Sequence, residues 1–422
     1  MTEERQPTVV VRMADAGDLY VSWRWQDEFA GAGVSAIPGT RVDPIVARVH
    51  DALPGASAAG IEKSLTTGEF ADYDAEHELG QALARTLLPY GLATQLYDLY
   101  ARGVRPHIRV QPSPRTAQIP WELLAPDPGL RLLEIADISQ LAPAGLAPAP
   151  GLAERSWEQT RELPVVVVLD PRVPGFRADS ALGSVLGRMS AELPLAEHIG
   201  RYLPNDRLRP AISDPVEAFR RQDQDRLWLS EALHAGASRL LYVGHVTAAA
   251  PESGRSEDAR LHLACAAETR GFAPPERTHR PLSAKDLILG THTLDGDPRT
   301  GPDLWPMPSR VALIACESGG DLRFGETLGL LAAVLNGGAE LVTAGRWPLP
   351  TDLAYERFAA SSAGRHPLQE NICAIDAAHE HPDPVTALMH WQRERSAAWR
   401  AERSVCDSPL LWAAFATVTT NR

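Results

Sequence analysis

A chain of 422 residues, 44% hydrophobic and 23% charged, is long enough for two or three domains with proper cores. Its formal charge of -13 excludes the broad basic face that nucleic acid or anionic lipid attracts. No stretch approaches the roughly 18 uninterrupted apolar residues of a membrane span, and "MTEERQPTVV" shows no basic segment followed by an apolar one, so a cytosolic protein is expected.

In chain order, "TVVVRMADAGDLYVSWRW" alternates apolar and polar positions and predicts two strands joined as a hairpin across "ADAGD". A helical pattern follows in "HELGQALARTLLPYGLATQLYDLYARG", where Leu79, Leu83, Leu87 and Leu88 recur at helical spacings. "HIRVQPSPRTAQIPWELLAPD" comes next. The Pro- and Gly-rich "LAPAGLAPAPG" then reads as an extended connector, which divides the chain into residues 1–150 and 151–422.

Beyond the connector, short and wholly apolar runs at residues 164–170, 237–245, 310–316 and 339–345 predict strands buried on both faces. Helical patterns at about 184–202, 215–235 and 326–335 lie between them. The alternation predicts an α/β domain with a largely parallel central sheet flanked by helices, preceded by a smaller α+β region.

Four cysteines, Cys265, Cys316, Cys373 and Cys406, have no CxxC spacing, so neither a disulfide framework nor a zinc site is expected, and no cofactor is implied. Only Cys316 stands at the mouth of an apolar run, in "RVALIACESGGD". His245 ends another such run, in "LLYVGH". Ligands of open α/β sheets bind at the carboxyl ends of strands. An imidazole there can take the proton of a thiol, and the "CESGG" turn can leave amide N–H groups facing an oxyanion.

The order "IPWELL", "VVVVLDPRV", "LLYVGH", "VALIACESGG", "GETLGLLAAVLNGGAELVTAGRWPLPTD" and "SPLLWAAF" resembles the CHAT family, bacterial relatives of caspases and separases among the caspase-like cysteine peptidases. The resemblance covers the chain from about Arg109 onward. It implies a caspase-like three-layer domain in residues 151–422 and a cysteine endopeptidase with His245 as general base and Cys316 as nucleophile. It also implies an oxyanion hole built from the backbone N–H groups of Cys316 and Val246. The family has glycine where Val246 stands, and valine resists positive φ, so this loop is either reshaped or held at a β-region angle.

The caspase signature Q-A-C-[RQG]-G, with a histidine about 50 residues earlier, is met only at Ala315 and Cys316. Here 71 residues separate His245 from Cys316, and the excess is a long polar insertion with a possible strand near Leu261.

Asp352, in "WPLPTD", is expected either to accept a substrate Arg or Lys side chain, as the resemblance to separases suggests, or to cap a helix. Asp170 and Glu317 are its rivals for substrate, and Trp347 either lines a pocket or closes the core. Cys265, Cys373 and Cys406 read as structural, Glu76 and the His379–His381 pair as solvated helix positions, and Trp412 and Phe415 as core.

The resemblance further implies a protein substrate, a regulatory partner, and a role in bacterial antiphage defence or cell death, with gasdermin-like pore formers among the substrates. The rival expectation is a catalytically silent caspase-like scaffold or sensor.

Overall fold

The computed structural model describes residues 6–26, 31–143, 145–152, 155–291, 298–359 and 362–420. The first five residues of the amino-terminal stretch and Ala144 of the connector therefore lie outside the described residues. Two compact units emerge: Met1–Ala142 with Ala354–Arg365 and Asp383–Thr417, and Pro143–Leu353 with His366–Pro382 and Val418–Arg422.

In the first unit the alternating segment forms the expected hairpin. β1 (Thr8–Ala16) and β2 (Asp18–Trp25) pair antiparallel around Gly17, whose φ of 78° suits a residue without a Cβ. Val9, Val11 and Met13 lie opposite Trp25, Trp23 and Val21 and bury one face. β3 (Ala32–Ile37), β4 (His107–Gln111) and β5 (Asp137–Leu141) complete the order β3–β2–β1–β4–β5, with β1, β4 and β5 parallel.

The single helical pattern predicted after β3 is two helices, Tyr73–Leu87 and Tyr90–Ala101. Pro89 explains the break. Its ring drives the preceding Leu88 out of the helical region, to φ -91° and ψ 108°. Glu76 is fully buried, not solvated: Arg131 grips it through two hydrogen bonds of 2.5 and 2.8 Å, and Trp399 Nε1 donates to it at 3.1 Å. Trp121 and Glu122 are buried in the turn Trp121–Leu123, which packs beside Gly80; a Cβ there would stand 2.6 Å from the Leu123 carbonyl.

The second unit carries the four apolar runs as β6 (Val165–Leu169), β8 (Arg239–Val243), β12 (Arg310–Ile314) and β13 (Leu341–Gly345), every residue of them buried. With the short β7 (Leu208–Arg209) they form a parallel array in the order β13–β12–β8–β6–β7. The insertion after His245 folds into a small antiparallel sheet of β9 (Val246–Thr247), β10 (Arg260–Leu261) and β11 (Leu282–Ser283).

The predicted helices between the strands are shorter than their patterns. Pro194–Gly200 starts only at its proline, because residues 183–187 fold back on Asp170. Arg226–His234 starts at the Asp225 cap, after Arg220 has taken a left-handed φ of 55°. Trp412 and Phe415 are core, as expected.

Candidate active site

β8 and β12 are parallel neighbours with Val243 paired to Ile314, so His245 and Cys316 each lie two residues beyond the same rung. The ladder runs one step further through the Gly244 amide, which donates to the Ile314 carbonyl at 3.3 Å. Gly244 is required by close approach: a Cβ there would lie 2.7 Å from the Tyr242 hydroxyl.

That hydroxyl is buried, and its single proton is shared between the His245 carbonyl at 2.7 Å and the His262 carbonyl at 2.9 Å. The His262 amide also donates to the His245 carbonyl, at 3.2 Å. A trans peptide points its C=O and N–H in opposite directions, so the Val246 N–H is turned away from β10. Val246 keeps a negative φ within β9, and the loop accommodates valine at a β-region angle without strain.

The imidazole of His245 is half-buried, and its Nε2 lies 3.1 Å from the Gly183 carbonyl. A carbonyl only accepts, so Nε2 carries the ring proton and Nδ1 holds the lone pair. Burial lowers the pKa of this imidazole, while the Gly183 carbonyl and Asp170 act to raise it and Arg220 to lower it further. His245 is thus neutral at pH 7, the form a general base needs.

Cys316 is half-buried, and its Sγ accepts the Leu349 N–H at 3.3 Å. Burial raises its pKa, against the lowering effect of that N–H, and Glu317 adds to the rise. The resting pair is therefore thiol and neutral imidazole, and among the described residues no hydrogen bond joins them. The Cys316 amide has no backbone acceptor among the described residues.

The turn after the nucleophile is not made by its glycines. Glu317 takes the left-handed φ, 48°, held by its amide on the Trp347 carbonyl (3.4 Å) and its carboxylate on Arg323 (2.9 Å). Gly319 serves closeness instead: a Cβ there would come 3.2 Å from that of Ala344. Ser318 stitches the strand ends, donating to the Leu313 carbonyl at 2.6 Å and accepting from the Gly345 amide at 2.8 Å.

Of the other predicted substrate residues, Trp347 is fully buried. Asp352 takes the Leu368 N–H on Oδ1 at 2.7 Å, capping the helix Pro367–Glu380, and the side chain and amide of Gln369 also act on its carboxylate. Burial raises its pKa. Asp170, at φ 51° just past β6, is buried and accepts from Ser184 Oγ (2.5 Å), the amides of Val185 (3.2 Å) and Leu186 (3.4 Å), and Arg220 (3.2 Å).

Gly183, Ser184 and Arg220 were not singled out from the sequence: Ser184 and Arg220 fall inside the patterns read as helices at 184–202 and 215–235, and the structure places them in loops. Nor was Asp321, buried behind the nucleophile turn and accepting the Ala332 N–H at 3.0 Å at the start of the helix Leu330–Asn336.

His379 is buried, not solvated: its Nε2 meets Thr343 Oγ1 at 2.8 Å because the end of its helix packs on the sheet. His262 and His279 are fully buried and joined ring to ring at 3.1 Å. Burial pushes the Cys265 thiol up to about 11 and the Cys373 thiol to about 12. No group of three or more His, Cys, Asp or Glu side chains among the described residues is arranged to hold a metal. No helix among them is long and apolar enough to cross a membrane.

Residues 77–420 match the CHAT domain family. This chain belongs to that family. CHAT domains are of the caspase-like cysteine peptidase type. The solved structures similar to this chain include two of the Saccharomyces cerevisiae separase–securin complex. One has a TM-score of 0.48 at 10% identity over 99% of this chain and 30% of that one. The other has a TM-score of 0.40 at 10% identity, over 98% and 30%. The chain thus spans 30% of the length of that relative. No curated protein sequence matches it.

Proposed function

We propose that this CHAT-family chain is a cysteine endopeptidase with a His245–Cys316 dyad. One observation carries the reading: two parallel neighbouring strands place a neutral imidazole and a half-buried thiol two residues past the same rung, beside two amide N–H groups without a backbone acceptor among the described residues. Nδ1 of His245 takes the thiol proton and the thiolate attacks the peptide carbonyl carbon. The carbonyl oxygen becomes an oxyanion, received by the N–H groups of Cys316 and Val246. The C–N bond then breaks, the imidazolium returns the proton to the departing amine, and a thioester remains. Water, deprotonated by His245, hydrolyses the thioester and frees the thiol.

Substrate preference follows from which carboxylate is left over. Glu317 is already paired with Arg323 and Asp170 with Arg220, whereas Asp352, three residues after the Leu349 whose amide touches the nucleophile, has no salt-bridge partner among the described residues. That supports a preference for Arg or Lys before the scissile bond. The peptidase part is taken as residues 151–422, with 1–150 as its companion region. A cytosolic bacterial setting, a regulatory protein, and a defence or cell-death role on a pore-forming substrate extend the reading by family likeness.

The test is to incubate the protein and its Cys316→Ala variant with a peptide library. Cleavage by the unmodified chain alone, after basic residues, is the expected result. Equal cleavage by both sinks the dyad. The second reading, a silent scaffold, is favoured by the protonated thiol and by the missing imidazole–thiol bond. It gains the ground if the unmodified chain is as inert as Cys316→Ala.

A further inference from the structure

Asp170 and Arg220 are both non-glycine residues at positive φ, 51° and 55°, on either side of one strand end. Left-handed backbone is unfavourable for such residues and persists only where surrounding contacts impose it. Here those contacts are traceable. The Arg220 amide donates to the Leu169 carbonyl at 3.1 Å and the Asp170 amide to the Val243 carbonyl at 2.6 Å, which pins both residues against the ends of β6 and β8.

From that anchor the Asp170 carboxylate gathers the segment 183–187. It accepts from Ser184, Val185 and Leu186, and Ser184 Oγ in turn accepts the Gly187 N–H at 2.8 Å. Gly183, the first residue of the segment, has no room for a side chain, since a Cβ would lie 2.2 Å from the Ala178 carbonyl. Its own carbonyl receives two donors: His245 Nε2 at 3.1 Å and Arg220 Nη1, also at 3.1 Å. The same Nη1 bonds Asp170 Oδ1 at 3.2 Å. One guanidinium nitrogen thus bridges the carboxylate and the carbonyl that holds the imidazole.

We propose that Asp170, acting with Arg220, is the positioning residue of His245, fixing where the Gly183 carbonyl takes the imidazole N–H and hence where Nδ1 points. A carboxylate that is 1% exposed and already accepts from four donors is committed to this frame, not to a substrate cation. The kinetic side of the proposal rests on the peptidase reading; the positioning itself does not.

The test is therefore made on the imidazole directly. Histidine-labelled full-length chain is titrated by NMR, with the His245 resonance assigned through His245→Gln, in the unmodified form and in Asp170→Asn, Arg220→Gln and Arg220→Lys. Asp170 and Arg220 are the charged groups acting on this ring; His262 also faces it but is held neutral by burial, its pKa pushed down to about 3, and the Cys316 thiol stands at the adjoining strand end.

Loss of the negative charge in Asp170→Asn moves the His245 midpoint down. Loss of the positive charge in Arg220→Gln moves it up, and Arg220→Lys returns it toward the original. A role in mere folding stability does not produce opposite shifts. Midpoints that stay put, or that move the same way in both variants, overturn the proposal. If Asp170→Asn does not fold, the Arg220 pair decides alone.

Where the chain cleaves peptides, the positioning variants lower kcat by about 10- to 100-fold with KM little changed, the effect of a misplaced base. A raised KM for basic substrates with kcat unchanged assigns Asp170 to the substrate pocket instead, and the proposal fails. If no form cleaves anything, the peptidase reading falls and the NMR titration still decides the positioning.

Discussion

β8 and β12 each begin on an arginine and lead to a candidate catalytic side chain, and their two ends are built on opposite principles. At the amino end, buried Arg239 pairs with Asp376 at 2.9 Å, and Asp376 also receives Tyr202 at 2.5 Å and meets His198 at 2.7 Å. Beside it Arg310 donates to the carbonyls of His379 (2.7 Å), His381 (2.6 Å) and Pro382 (3.1 Å) and lies over the Trp157 ring. Arg239 there is met by a carboxylate and Arg310 by carbonyl oxygens and a ring face. At the carboxyl end the thiol and imidazole are both neutral, two amides point at no backbone partner, and Asp170 and Glu317 hold left-handed backbone. The proposed reaction would use the amides left without a backbone partner beside strained backbone, whereas the bonds at the amino end serve the fold.

The sharpest way to break this contrast is at Asp376. Asp376→Ala leaves the buried Arg239 guanidinium with only the more distant Glu380 carboxylate, at 3.9 Å, so unfolding stability drops by about 3–5 kcal/mol in a denaturant titration, while kcat per folded molecule holds. A loss of activity without loss of stability would show that the amino end is not purely structural.

The next effect falls on the opposite end. Val246→Pro removes the proposed oxyanion N–H and lowers kcat by about 100- to 1,000-fold, whereas Val246→Gly retains the N–H and stays near the original. Thermal melting should barely separate the two. Equal activity in both dismisses the Val246 amide from the site.

The smallest effect is a pH slope behind the nucleophile turn. Burial pushes the Asp321 carboxyl up to about 6, against the lowering effect of the backbone amides it caps. An unfolded Asp titrates near 3.9, so between about pH 4 and 6 the folded chain holds a proton that the unfolded chain lacks, and stability falls as pH rises through that window. Between pH 4.5 and 6.5 this contribution is on the order of 1–2 kcal/mol. Asp321→Asn flattens the fall, read as denaturation midpoints at the two pH values. Parallel curves for both proteins remove Asp321 as its source.

How far the sequence reached differs from residue to residue. The four apolar runs were legible because a strand buried on both faces needs no polar position, and "RVALIAC" and "LLYVGH" therefore placed Cys316 and His245 at strand ends. Helix lengths were not legible, because Pro89, Pro194 and the capture of Ser184 by Asp170 cut patterns that periodicity alone would extend. Glu76 and His379 read as solvated because their partners, Arg131 and Thr343, lie 55 and 36 residues away along the chain.

What the sequence determined by itself was composition, the apolar strands and the order of the motifs, since burial along a segment is written into its own residues. The tertiary structure alone decided that the two strand ends share a rung, that the Val246 N–H turns away from β10, and that Glu317 rather than a glycine makes the tight turn. It also set Asp170, Arg220 and Gly183 around His245. Those are pairings between distant segments, and a hydrogen bond across a loop depends on where both ends are held, which no local pattern records.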